Sequence, residues 1–131
     1  MSHSVKGRSV IVTGGSKGIG KGIAGVFARA GANVVVNYVT KPEDAEAVAE
    51  EIRSGGQRAM TAQADVGDEA QVQAMFAAAV REFGTIDILV SNAGMERNAP
   101  FHEMTTAQWD AVMNVNLRGA FLCAREAVRE F

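Results

Sequence analysis

The run SVIVTGGSKGIG at residues 9–20 drives a short β-branched strand straight into a glycine-rich turn and a helix, and few folds accommodate that junction. Val10, Ile11 and Val12 read as a buried parallel strand, since only a strand covered on both faces tolerates uninterrupted apolar side chains. Gly18-Ile19-Gly20 then opens an amphipathic helix. The first N–H groups of a helix lack intrahelical partners and lie at the positive end of its dipole, so the turn favours a bound phosphate. Gly14, Ser16, Lys17, Gly18, Ile19 and Gly20 are the candidate contacts. The spacing Gly14-x-x-x-Gly18-x-Gly20 departs from G-x-G-x-x-G, so the turn alone leaves a plain strand-to-helix connection open.

The elements beyond the turn narrow the choice. Helical and strand periodicities alternate, as an α/β layer protein requires. The first helix places Ile19, Ile23, Val26, Phe27 and Ala30 on one stripe and stops at Gly31; a strand over Asn33 to Tyr38 comes next. A second helix begins near Pro42, presents Ala45, Val48, Ala49 and Ile52, and ends at Gly55-Gly56 before a strand over Arg58 to Ala64. A third helix from about Asp68 aligns Val72, Met75, Phe76, Ala79, Val80 and Phe83, with Gly84 as its stop. The fourth strand, Ile86 to Ser91, runs into Asn92-Ala93-Gly94, and a helix capped by Thr105 or Thr106 comes after it. In the last helical segment Leu117, Phe121, Ala124, Val128 and Phe131 form a stripe widened by Ala120, Cys123 and Ala127.

Right-handed crossovers place these strands in the order 3-2-1-4, in a doubly wound parallel sheet with a switch point between strands one and four. Ligands of open α/β sheets bind beyond the carboxyl ends of strands at such a point, where Gly14 to Gly20 and Asn92 to Gly94 converge.

At 131 residues the chain is the size of one domain, and its net charge of -2, from 13 basic and 15 acidic residues interspersed, offers no stripe for nucleic acid or an anionic membrane. No apolar run approaches the ~20 residues of a membrane span and the first residues lack a secretory core, so the expected setting is cytoplasmic. Cys123, the single cysteine, reads as a small buried hydrophobe. With only His3 and His102 as histidines, no metal site is expected.

Four motifs in order, Thr13-Gly14-x-x-x-Gly18-Ile19-Gly20, Asp65-Val66, Asn92-Ala93-Gly94 and Asn114-Val115-Asn116-Leu117, closely resemble the short-chain dehydrogenase/reductase family across the whole chain. The resemblance implies a Rossmann-type NAD(P) fold. Asp65 and Val66 would then lie on the adenine side, Asn92, Ala93 and Gly94 would line the cofactor, and Asn116 would belong to the active site. It also implies an NAD(P)-dependent oxidoreductase acting on a small alcohol or carbonyl compound, and a homo-oligomer formed through the C-terminal helix. The segment Gly94-Met95-Glu96 with His102-Glu103-Met104 and Trp109 is similar to bacterial glucose 1-dehydrogenases, and the remainder equally to 3-oxoacyl-carrier-protein reductases. Trp109 itself is expected to pack rather than to recognise substrate.

An NAD enzyme places a carboxylate at the end of the second strand to accept ribose hydroxyls, and that charge repels the 2'-phosphate of NADP. Here Asn37 is read at that position, with Tyr38 next to it, while Lys17, Thr40 and Lys41 offer positive charge and a hydroxyl; NADP is expected, with NAD the alternative. The family's catalytic Ser and Tyr-x-x-x-Lys have no counterpart in these residues, since Tyr38 is the only tyrosine and Pro42 stands four positions on. The reading is therefore the N-terminal portion of an incomplete Rossmann-type domain, the alternative being a cofactor-binding or assembly module without turnover.

Overall fold

A computed structural model describes residues 4–131; His3 lies outside them. Its elements are β1 (Ser9–Val12), α1 (Gly18–Arg29), β2 (Asn33–Tyr38), α2 (Pro42–Ser54), β3 (Ala59–Gln63), α3 (Glu69–Phe83), β4 (Ile88–Val90), α4 (Thr106–Met113) and α5 (Gly119–Glu130). A 3-10 turn, Phe101–Glu103, precedes α4, and a π-helical segment, Asn114–Arg118, joins α4 to α5. All strand pairs are parallel, in the order β3-β2-β1-β4 expected from the crossover rule.

Alternation along the strands builds two cores. Val10 and Val12 of β1 with Val34 and Val36 of β2 face α1 and α2, whereas Ile11 and Val35 face α3 and α5. No residue of β1 is more than 1% exposed, which accounts for its unbroken apolar run. Burying each such Val or Ile contributes about 1.5–3 kcal/mol. At the start of the sheet the Ser9 N–H donates to Asp87 Oδ2 and the Asp87 N–H returns to Ser9 O, at 2.8 and 2.9 Å, which sets β4 beside β1.

Helix boundaries obey local chemistry. Gly31, Gly56 and Gly84 adopt positive φ after α1, α2 and α3, the conformation that ends a helix most cheaply. Asp68 caps α3 by accepting the Gln71 N–H, and that bond holds its carboxyl below the usual range. Thr105 and Gln108 form a reciprocal capping box on α4. The second and third helical faces are buried or half-buried as expected.

The outer helices differ from expectation. Ile19 is 78% and Val26 57% exposed; α1 meets the sheet through Gly20, Ala24 and Ala28, flanked by Ile23 and Phe27. The contact is made by small residues because they let the helix backbone come close to the sheet, leaving the bulky positions outside. In the last helical segment likewise, Leu117 of the π turn, Phe121 and Val128 of α5 and Phe131 just after it are exposed, while Gly119, Leu122, Cys123 and Ala127 are buried. A Cβ on Gly119 would lie 2.5 Å from Val66 Cγ2, so α5 sits where only glycine fits. Trp109 is 54% exposed rather than packed. The third and fourth strands are shorter than expected, β4 being confined to Ile88–Val90, although Ile86 before it is 1% exposed.

Cys123 is 1% exposed, and burial pushes its thiol up to about 11. Because the folded value is raised, its contribution to stability is complete below the unfolded value of ~8.5 and is lost as pH rises towards the folded one. At pH 8 a thiol reagent should label the native chain roughly a hundred-fold more slowly than the unfolded chain. Equal rates in a stopped-flow labelling experiment would contradict this placement.

Candidate cofactor site

The carboxyl ends of β1, β2, β3 and β4 open into one groove of about 460 Å³. Gly14, Ser16 and Lys17 line its floor after β1; Asn37, Tyr38 and Thr40 come from the end of β2, joined by Val39, Lys41 and Asp44. Asp65 and Val66 after β3 and Asn92, Ala93 and Gly94 after β4 complete it, together with Met95 and Val115. Twelve sequence-selected residues, Lys41 among them, thus share one cleft at the switch point. Gly18, Ile19, Gly20 and Asn116 are not part of that lining: the three α1 residues form the start of the helix, and Asn116 lies in the π segment.

The glycine turn is held open by specific approaches. Gly14 and Gly18 have φ of 62° and 57°, in the left-handed region where glycine is favoured. A Cβ on Gly20 would lie 2.2 Å from Gly14 O and 2.6 Å from Asn92 Nδ2. Lys17, the N-cap, makes no side-chain capping bond. Among the described residues, no acceptor meets the N–H groups of Gly18, Ile19 and Gly20. Unpaired donors at a helix start suit an anion, so the geometry fits a pyrophosphate.

A buried threonine joins the turn to β4. Thr13 Oγ1 accepts the Asn92 and Ala93 N–H groups at 2.9 and 3.0 Å and donates to Val90 O at 3.3 Å. The Asn92 amide donates in return to Thr13 O and Gly14 O. Sequence reasoning places Thr13 inside a motif without giving its hydroxyl a task. Its signal is a hydroxyl residue closing an otherwise apolar strand.

Asn116 is exposed but engaged: its Oδ1 accepts the Met95 N–H and its Nδ2 donates to Met95 O, both at 2.9 Å. The pair holds the segment after Gly94 against the π-helical turn. That turn is seated by close contact, since a Cβ on Gly67 would lie 2.3 Å from Asn114 Nδ2, and Arg118 Nε donates to Gly67 O. One Asp65 oxygen accepts the Gly67 N–H at 2.9 Å; the Asp65 N–H donates to Gln71 Oε1.

Asn37 requires correction as a ribose-reading strand end. β2 ends at Tyr38, as expected, and Asn37, one residue before that end, is turned inward at 1% exposure. Its Nδ2 donates to Ala62 O and Ala64 O and its Oδ1 accepts the Gly14 N–H. These bonds use both amide hydrogens and occupy the oxygen, so Tyr38, Val39, Thr40 and Lys41 are the strand-end residues left to meet a ribose. Lys41 is the one non-glycine residue with positive φ among those described, at 58°.

The family model for short chain dehydrogenase matches residues 8–131, and the chain belongs to that family. A short chain dehydrogenase from Burkholderia cenocepacia, solved in complex with NADP, is 37% identical with a TM-score of 0.94, covering 98% of this chain and 53% of its own. A Sinorhizobium meliloti dehydrogenase/reductase is 41% identical at a TM-score of 0.94, covering 98% and 51%. A Mycobacterium avium short chain dehydrogenase is 36% identical at 0.91, covering 97% and 47%. The chain spans about half the length of these solved structures. The Rossmann-like fold is common to all.

Proposed function

We propose that this chain forms the cofactor-binding part of an NAD(P)-dependent oxidoreductase acting on an alcohol or carbonyl compound of sugar or 3-oxoacyl type, with NADP preferred. The carrying observation is the groove at the four strand ends, with unpaired N–H groups of Gly18 to Gly20 beside it. Those donors would hold the pyrophosphate, Asp65 and Val66 would border the adenine, and Asn92 to Gly94 would wall the inner end. A bound nicotinamide would supply hydride transfer. Asn116 acts on the site by fixing Met95, the first residue beyond that wall. Glu96 next to it is exposed and available to a polyol hydroxyl.

Lys17 and Lys41 favour a 2'-phosphate; Asp44 and Asp65 in the same groove oppose it, so the preference is modest. The NADP complex of the Burkholderia relative supports the same choice. A homo-oligomer through α5 belongs to this reading, supported by the outward apolar stripe of Leu117, Phe121, Val128 and Phe131.

Calorimetric titration with NADPH and NADH tests the proposal. NADPH should bind several-fold more tightly, and Lys41→Glu should weaken it roughly ten-fold while changing NADH affinity less than about three-fold. Absence of binding by either cofactor, or tighter binding of NADH, would overturn it.

A further inference from the structure

We infer that Asn37 is a positioning residue: its one amide fixes the glycine turn relative to the end of β3, and through that spacing sets affinity for either cofactor without choosing between them. The inference rests on the proposed cofactor-binding function and replaces the role of Asn37 as a specificity marker. Gly14 and Gly15, the first two residues of the turn, are both tied to Asn37. The Gly14 N–H donates to its Oδ1 at 3.0 Å and the Gly15 N–H to its backbone oxygen at 2.9 Å. These donors point into the fold, so the pyrophosphate is left to the later N–H groups. The same Asn37 amide donates to Ala62 O at 3.2 Å and to Ala64 O at 3.1 Å, and Ala64 leads directly into Asp65.

Three walls of the groove therefore share one side chain: the turn after β1, the strand end of β2 and the Asp65 segment after β3. Asparagine suits the place because it supplies two donors and an acceptor. Aspartate would keep an acceptor but direct a carboxylate at two carbonyl oxygens, and alanine would leave buried polar groups unpaired.

The experiment titrates the chain and its Asn37→Asp, Asn37→Ser and Asn37→Ala variants with NADPH and NADH, alongside Ile52→Ala or Ile52→Val, whichever matches the loss of Tm. Ile52 is on the buried face of α2, and a purely structural loss there should leave both affinities within about two-fold. Asn37→Asp and the milder Asn37→Ser should weaken both cofactors ten-fold or more, on the order of 1.4 kcal/mol per ten-fold, with the NADPH/NADH ratio unchanged. A ten-fold shift of that ratio towards NADH in Asn37→Asp would make Asn37 a ribose reader and overturn the inference. So would losses no greater than in the Tm-matched control.

Amide hydrogen exchange gives a reading independent of cofactor. In Asn37→Ala the Gly14 N–H should exchange at least ten-fold faster while Gly15, bonded to the retained backbone oxygen, does not. Unchanged Gly14 exchange refutes the clasp. If the parent chain binds neither cofactor but Gly14 accelerates alone, the functional reading fails and the clasp stands.

Discussion

Gly20→Ala is expected to abolish measurable cofactor uptake and to cost the fold about 3 kcal/mol, whereas Gly22→Ala, two residues along the same helix, should stabilise it by about 0.5–1 kcal/mol. The contrast comes from surroundings. A Cβ on Gly20 would lie 2.2 Å from Gly14 O, 2.9 Å from Gly14 C and 2.6 Å from Asn92 Nδ2, so two of its contacts are backbone that cannot rotate aside. Either α1 shifts off the sheet or the turn opens, and both displace the N–H groups of Gly18 to Gly20. A Cβ on Gly22 meets nothing within 4 Å, and alanine there restrains the unfolded chain and favours the helix. Thermal unfolding of both variants with a cofactor titration decides the matter. Near-native binding by Gly20→Ala would show that close approach of α1 is not what shapes the turn.

The same helix shows which parts of the fold a sequence reveals. Ile19, Val26 and Ala30 belong to the stripe that hydrophobic periodicity selects, yet all three are exposed. Periodicity weighs bulky apolar residues, while a helix pressed against a sheet selects small ones such as Gly20, Ala24 and Ala28. Where core positions are themselves bulky, as with Val72, Met75 and Phe76 in α3, sequence and structure agree. Strand order is legible because crossover handedness leaves few arrangements for strand–helix alternation and the glycine turn after β1 points to the doubly wound one, and that order carries the groove with it.

Individual site roles are less legible than their location. That Asn37 and Thr13 lie near the switch point is a consequence of strand ends, but the direction of their side chains depends on strand register and on where each strand stops. β2 spans Asn33–Tyr38 as expected, so Asn37 is one residue short of the strand end, and its amide closes an interior clasp instead of meeting a ribose. For Asn116 the partner is the backbone of Met95, 21 positions away, and backbone donors and acceptors leave no mark in residue identity.

Thr13→Val should lower stability by about 2–4 kcal/mol, although valine matches threonine in shape and is the better apolar residue for a strand end. Thr13 is 1% exposed, so no water replaces the lost hydroxyl. Its Oγ1 accepts from two successive N–H groups, those of Asn92 and Ala93. The Asn92 N–H retains a contact to Val90 O at 3.1 Å, while among the described residues Ala93 has no second acceptor. A fully buried unsatisfied donor costs about 1–3 kcal/mol; the half-buried Ala93 N–H at the groove falls at the low end, and loss of the Asn92 and Val90 bonds to the hydroxyl adds to it. For a chain of this size the Tm should fall on the order of 10 °C. Thr13→Ser keeps the hydroxyl and gives up one methyl, so it should lose only about 1 kcal/mol. Thr13→Val should also weaken cofactor binding more than Thr13→Ser, because the released peptide carries Asn92 and Ala93, which line the groove beside the glycine turn. Were the two variants equally stable and equally competent to bind, the hydroxyl would contribute nothing, and the carboxyl end of the β1–β4 pair would be held by the Thr13 N–H to Val90 O bond and the Asn92 amide.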